Sequence, residues 1–417
     1  MQGNLATQMA PPFVLVAHYF IAGAFFYALS ALILPFYAND IGGFFLTNDL
    51  AALLHVYLLG FVMMVIFGAM YQLIPVLLEV PLFSKDFAYV QFYMYAIGIC
   101  LFCFGLAYEF QIVPYGALLI YASMLVFIVN LFLSYLNLKD WNFVAITLLV
   151  ANLFLFLGAS LGFVISLDLI YGFWGDILLS VRLHVSATIG GFVLLVIMGV
   201  SKVLIPMFAL SHDVSDKAIK AGVGFLSLGL LAYMVSPWLT WIGKIMPFGL
   251  MFLGVLAALW QMLLYFRKRV RKQNDFWAKN MIASFISALF SMIVLVFALV
   301  NGSDKMVILF GFIFLFGFLI FFIVGHIYKI LPFLVWYQRF SPLVGKQKVP
   351  MLHDMIDTKI ADWQFWITGI GLILGAVAIG VGHKLLFQIG SLVMAIGTLL
   401  VMYNILFTLM YKIKEQK

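Results

Sequence analysis

Residues 55–75 read HVYLLGFVMMVIFGAMYQLIP, and most of this stretch returns twice further along the chain. Positions 60–75 are GFVMMVIFGAMYQLIP, positions 191–206 are GFVLLVIMGVSKVLIP, and positions 317–332 are GFLIFFIVGHIYKILP. Each is Gly-Phe, six residues, Gly, six residues, Pro, with no gap. The shared positions are Gly60, Gly191 and Gly317; Phe61, Phe192 and Phe318; Gly68, Gly199 and Gly325; Pro75, Pro206 and Pro332. Glycine and proline are frequent in membrane helices, so one match decides nothing. Three ungapped matches define an internal repeat.

The surrounding composition says what kind of helix repeats. The chain has 417 residues, 66% of them hydrophobic and 9% charged, with a mean hydropathy of +1.16. That is too little charge to cover a soluble domain and is the composition of a polytopic membrane protein. A membrane helix needs about 20 apolar residues. Twelve such segments are expected, at 12–35, 49–79, 87–108, 113–138, 142–168, 178–210, 219–241, 245–266, 276–300, 306–336, 363–382 and 385–411. The repeats fall on the second, sixth and tenth, four helices apart each time. The expected fold is all-α, one integral membrane domain over 1–417, built as three four-helix units about a pseudo-threefold axis. The opening MQGNLATQMAPP lacks a positive n-region and a small-residue cleavage site, so no removable signal peptide is expected.

Orientation follows from lysine and arginine. With the N-terminus inside, inner loops receive Lys85, Lys139, Lys217, Lys220, Arg339, Lys346, Lys348, Lys359 and the run RKRVRK at 267–272. The tail adds Lys412, Lys414 and Lys417, while the outer side keeps Arg182, Lys244, Lys305 and Lys384. Both termini are therefore expected to be cytoplasmic. The net charge of +7 reflects this bias and the attraction of anionic lipid, not nucleic acid.

Ionisable residues inside membrane helices point to function. Of seven histidines, four fall in membrane segments: His18, His55, His184 and His326. His55 lies 20 residues before its repeat proline and His184 lies 22 before its own, so their depths differ by roughly 3 Å. Histidine is the commonest metal ligand and the usual axial ligand of haem iron. Two histidines at one outer depth, on glycine-bearing central helices with Gly60 and Gly191 near them, suit a b-type haem standing between helices. Arg182, two residues before His184, is a candidate partner for a haem propionate. His326 sits roughly 20 Å deeper than His55 and cannot share its metal. A second inner haem between His18 and His326 is one reading; histidines hydrogen-bonded near the interface are the other.

Here a resemblance enters. Residues 55–75 resemble the histidine-bearing tenth helix of the catalytic subunit of cbb3-type cytochrome oxidases, in the haem–copper oxidase superfamily. The family motif runs His-x-His, Gly-Trp, Gly-Ala-x-Tyr, Pro. His55 matches its second histidine, the low-spin haem ligand, and Gly60, Phe61, Gly68-Ala69, Tyr71 and Pro75 follow in register. His184 falls at the register of the first histidine, the high-spin haem ligand. The resemblance implies twelve core helices, haem toward the outer side, and a home in the cytoplasmic membrane of a bacterium or archaeon. It also implies respiratory electron transfer, or redox chemistry on nitric oxide or oxygen. Any enzyme activity would be that of an oxidoreductase of the cytochrome oxidase or nitric oxide reductase type. A quinone or a cytochrome as electron donor and further membrane subunits would accompany it.

The departures are as informative. The tenth helix here carries Phe310 and Phe312 where the family has its histidines, and the seventh has no histidine at all. A copper site needs several nitrogen ligands, so copper is not expected. Tyr71, Lys202, Tyr328 and Lys329, near the repeat prolines, read either as a proton path or as groups snorkelling to the interface. Cys100 and Cys103 share a face of the third helix and read as inert core thiols. Two other function classes are a secondary transporter and a non-redox membrane subunit or assembly factor. Transporters, however, usually carry two repeats and an acidic residue at mid-depth.

Overall fold

Hydropathy places a helix wherever some twenty apolar residues run together, and the computed structural model of the chain follows it. It describes residues 11–236 and 241–412, without the side chains of 241–244. The first ten residues, Lys414, Lys417 and the Lys244 side chain lie outside the described residues. Among the described residues there is no strand, and twelve helices are long and apolar enough to cross a membrane. They are α1 (Phe13–Asn39), α2 (Asn48–Leu78), α3 (Lys85–Ala107), α4 (Phe110–Tyr135), α5 (Phe143–Tyr171) and α6 (Ile177–Ala209). The second half holds α7 (Lys217–Val235), α8 (Ile245–Arg267), α9 (Phe276–Asn301), α10 (Asp304–Arg339), α11 (Thr358–Val381) and α12 (Lys384–Met410).

Local chemistry sets the ends. Side chains of Thr47, Asn142, Asp176 and Asp275 each accept a backbone N–H in the first turn of α2, α5, α6 and α9, which stabilises a helix by about 1 kcal/mol. Gly172, Gly302 and Gly382 close α5, α9 and α11 in the left-handed conformation that glycine adopts without strain. The largest shift at a helix start is at α11. It starts at Thr358 because the Asp357 carboxylate accepts the N–H groups of Lys359 and Ile360, each at 3.1 Å. Those charged first-turn residues are invisible to hydropathy. The seventh helix, expected to run to 241, ends at Val235, and Trp241 is already helical in the next element; residues 237–240 lie outside the described residues.

The chain clusters into two compact units. One is formed by residues 73–105 and 109–273, and the other by residues 11–72, 106–108 and 274–412. The first unit holds α3–α8; the second holds α1, most of α2 and α9–α12.

Within the units the sequence repeat reappears as repeated packing. Each repeat helix lays its two glycines on the helix before it. Gly60 and Gly68 of α2 meet Phe26 and Tyr19 of α1; Gly191 and Gly199 of α6 meet Phe154 and Thr147 of α5; Gly317 and Gly325 of α10 meet Ser287 and Asn280 of α9. The partners are seven residues apart every time, so one antiparallel register recurs. A methyl group at Gly60 would stand 2.5 Å from Phe26 Cβ, which is why no side chain fits. The remaining hairpins are closed by glycine as well: Gly222 of α7 faces Gly254 of α8, and Gly371 of α11 faces Gly390 of α12. In lipid, where apolar surface gains nothing by leaving the solvent, such close backbone approach is what holds helices together.

The repeat helices share a second irregularity. Each widens into a π-helical segment around its Gly-Phe pair: Leu58–Met63 in α2, Ser186–Val193 in α6 and Phe314–Leu319 in α10. Such segments leave carbonyls off the i→i−4 ladder and are frequent at functional sites. In α10 two of those carbonyls are taken up by neighbours. The Tyr57 hydroxyl donates to Leu315 O at 2.6 Å, and the Ser284 hydroxyl donates to Phe318 O at 3.1 Å.

Candidate functional site

The heads of α2 and α6 carry the histidines singled out above. His55 is the eighth residue of the helix that opens at Asn48, and His184 is the eighth of the helix that opens at Ile177. Both are half-buried, and both stand just before the π-helical segment. His55 belongs to the second unit and His184 to the first.

Each imidazole is anchored through Nδ1. His55 Nδ1 lies 2.7 Å from Ala51 O in its own helix, and His184 Nδ1 lies 2.8 Å from Gly158 O on α5. A carbonyl only accepts, so Nδ1 carries the proton, and the neutral ring keeps its lone pair on Nε2. That is how metal-bound histidines are commonly oriented. The His184 ring also lies against Gly162, whose missing side chain makes the room. Gly158 and Gly162, four apart on α5, thus form the seat for this ring. The sequence analysis missed them, although a Gly-x-x-x-Gly pair in the helix before a histidine was a readable signal.

The other two histidines of the membrane segments differ. His326 is buried in α10, with Nδ1 2.8 Å from Phe322 O and its ring centred 4.3 Å from the Phe322 ring. His18 is half-buried on α1. The head of α10 is aromatic: Phe312 packs against Phe316 and Phe387, with ring centres 5.4 and 5.9 Å apart, and lies over Gly375. Gly60 and Gly191 are covered by the Phe26 and Phe154 rings, so their observed role is to seat the preceding helix. Arg182 is exposed on α6, within electrostatic range of Tyr233 on α7.

Tyr71, Lys202 and Tyr328 occupy one repeat position, four residues before Pro75, Pro206 and Pro332. A helical proline has no N–H, so the carbonyl at this position loses its usual partner. The side chains there are used in different ways. Tyr71 is fully buried, its ring 5.8 Å from that of Tyr19. Lys202 stands 3.5 Å from Asp216, which also pairs with Lys220 at 3.0 Å. Lys220 beside Asp216 holds that carboxyl below the usual carboxylate range, and Lys202 adds to the effect. Lys329 pairs with Asp275 at 2.8 Å, and the Tyr328 hydroxyl donates to Gln364 Oε1 at 3.2 Å. Both lysines are thus held by aspartates that open a neighbouring helix. The sequence analysis passed over Asp216, Asp275 and Gln364.

Cys103 is buried, but Cys100 is exposed on α3, so only one of the two thiols is in the core. A shallow cleft too tight for a water molecule lies between α5 and α6, lined by Leu161, Val164, Ile165, Asp168, Trp174 and Ser180. Among the described residues no group of three or more His, Cys, Asp or Glu is arranged to hold a metal ion. No protein-family model matches the chain, and no curated protein matches it either.

Proposed function

We propose that this chain is a haem-binding membrane protein of the haem–copper oxidase catalytic-subunit type, lacking a complete copper site. Its role is respiratory electron transfer, or redox chemistry on nitric oxide or oxygen. The observation that carries this reading is the matched pair of histidines. Each is the eighth residue of a repeat helix, each precedes a π-helical segment, and each has its Nδ1 on a backbone carbonyl, the orientation in which Nε2 would be the ligating nitrogen.

Bound b-type haem would supply an iron centre able to pass single electrons. The protein's own groups do the rest. Ala51 O and Gly158 O hold the protons on Nδ1, orient the rings and raise the basicity of Nε2. The Arg182 guanidinium can pair with a carboxylate. The chain's Cys-x-x-Cys, Cys100 to Cys103, is followed by Phe104 and not by the histidine of a covalent haem attachment, which favours the b type. The lysine bias supports a reading with both termini in the cytoplasm, and a quinone or cytochrome with partner subunits would deliver electrons.

A pyridine-haemochrome spectrum with metal analysis of the purified protein tests this. Iron with a b-type spectrum and less than stoichiometric copper is expected. A tightly bound copper in every chain would restore an oxidase-like centre. A colourless preparation with no Soret band would overturn the reading in favour of a transporter or a non-redox membrane subunit or assembly factor.

A further inference from the structure

Residues 267–272, between α8 and α9, read RKRVRK, five cations in six positions. Like charges so close repel one another, and a folded loop needs something to offset them. Lysines on the helices find a carboxylate: Lys202 and Lys220 pair with Asp216, Lys279 with Asp362 and Lys329 with Asp275. The loop is different. Arg267, Lys268, Arg271 and Lys272 make no ion pair among the described residues. Lys268 Nζ donates to Asp213 O at 3.0 Å, and Lys272 Nζ donates to Arg267 O at 2.9 Å. A backbone carbonyl is neutral, so these bonds leave the charge in place. Arg267 and Arg271, four residues apart, are exposed.

The loop is held in shape by its middle. The Arg269 guanidinium lies over the Phe266 ring, 4.2 Å from its centre, and donates to Phe266 O at 3.4 Å and Lys272 O at 3.2 Å. Val270 N–H donates to Ala209 O at 3.0 Å, which ties the loop to the end of α6 within the first unit. Beside this bond the surface is apolar. Val270 is 62% exposed between two arginines, and Met207 and Leu210 are exposed at the end of α6. Trp260, seven residues before Arg267 and so roughly 10 Å back along α8, is exposed as well. Bare cations beside exposed apolar and aromatic side chains, at the end of a membrane helix, match the bilayer interface.

We propose that this loop is a binding site for an anionic phospholipid. Arg267 and Arg271 take the headgroup phosphate, since a guanidinium can bond two of its oxygens at once. Lys268 and Lys272 add charge beside it, and Arg269 shapes the loop without touching the lipid. The exposed Met207, Leu210 and Val270 decide the occupant. A free anion or an acidic segment of another protein would leave them uncovered, whereas the acyl chains of a lipid cover them. The charge of the whole chain attracts anionic lipid diffusely, and this loop gives the attraction one place. The site stands whether or not the chain binds haem.

Lipid selectivity of the full chain tests it. The protein is reconstituted at low salt in phosphatidylcholine vesicles holding a trace of spin-labelled phosphatidylglycerol or spin-labelled phosphatidylcholine. Electron spin resonance then reads the share of label immobilised on the protein. The wild type should hold phosphatidylglycerol several-fold better than phosphatidylcholine. Arg267→Gln combined with Arg271→Gln should lose most of that preference. Lys346→Gln combined with Lys348→Gln removes the same charge from the exposed loop after α10 and should keep it. Neither arginine side chain bonds a protein group among the described residues, so the double variant should melt as the wild type does. Arg271→Gln alone lies outside any helix and should show a smaller loss in the same direction. Equal immobilisation of the two labels by the wild type, an arginine variant as selective as the wild type, or an equal loss in the lysine variant overturns the proposal. So does displacement of the label by inorganic phosphate or by poly-glutamate, which would assign the loop to a free anion or to an acidic protein segment.

Discussion

α10 and the pair α2 and α6 share one frame and fill it differently. All three have the Gly-Phe, Gly, Pro spacing, a π-helical segment at the Gly-Phe pair, and two glycines laid on the preceding helix in one register. At the head of the frame α2 and α6 carry an anchored imidazole, whereas α10 carries Phe312 packed among Phe316, Phe387 and Gly375. The frame is therefore a packing device that stands with or without a histidine. The histidines are additions to it, and they are the part that needs a chemical explanation.

The largest test of this contrast is spectral. His55→Ala and His184→Ala should each remove or shift the low-spin haem bands, while His326→Ala and Phe312→Ala should leave them. If both outer substitutions keep full haem content and unchanged spectra, the chemical half of the comparison fails, and the imidazoles are packing groups like Phe312.

Next comes the frame itself. Gly60→Ala and Gly191→Ala should each lower stability by about 1–3 kcal/mol, since the new methyl meets the Phe26 or Phe154 ring. Gly311→Ala, where nothing stands within 4 Å, should be neutral or slightly stabilising. Thermal melting in detergent reads the difference. Equal tolerance at all three sites would mean that the glycines do not set the helix spacing.

A smaller effect is expected at the feature peculiar to α10. Tyr57→Phe removes the donor to Leu315 O and should cost about 1–2 kcal/mol. An unchanged melting temperature would show that this π-helical carbonyl has another donor.

The smallest effect concerns Lys202, the lysine at the repeat position. The Asp216 carboxyl is held below its unfolded value by Lys220 and Lys202. Its contribution is therefore present above the ordinary carboxylate pKa and is lost as the pH falls through the lower folded value. The pairs are partly exposed and screened, so Asp216→Asn should cost about 0.2–1 kcal/mol near neutral pH. That difference from wild type should shrink as the pH falls below the ordinary carboxylate range. A gap that stays constant on acidification would place the effect of Asp216 in something other than its charge.

Sequence alone determined the twelve spans, the repeat and the candidate histidines. Length and hydropathy are properties of each segment, and lipid imposes them on every helix separately. The spacing of glycine, phenylalanine and proline was legible for the same reason. Only the tertiary structure decided what those residues face. Lipid tails are as apolar as leucine, so hydropathy does not say which side of a membrane helix packs. The Gly158–Gly162 seat for His184, the aspartates that hold Lys202 and Lys329, and the hydrogen bonds of Tyr57 to Leu315, Tyr328 to Gln364 and Asp357 to Asn404 all join residues on different elements. Their partners are chosen by how closely two backbones can approach and by the cost of burying a polar group alone.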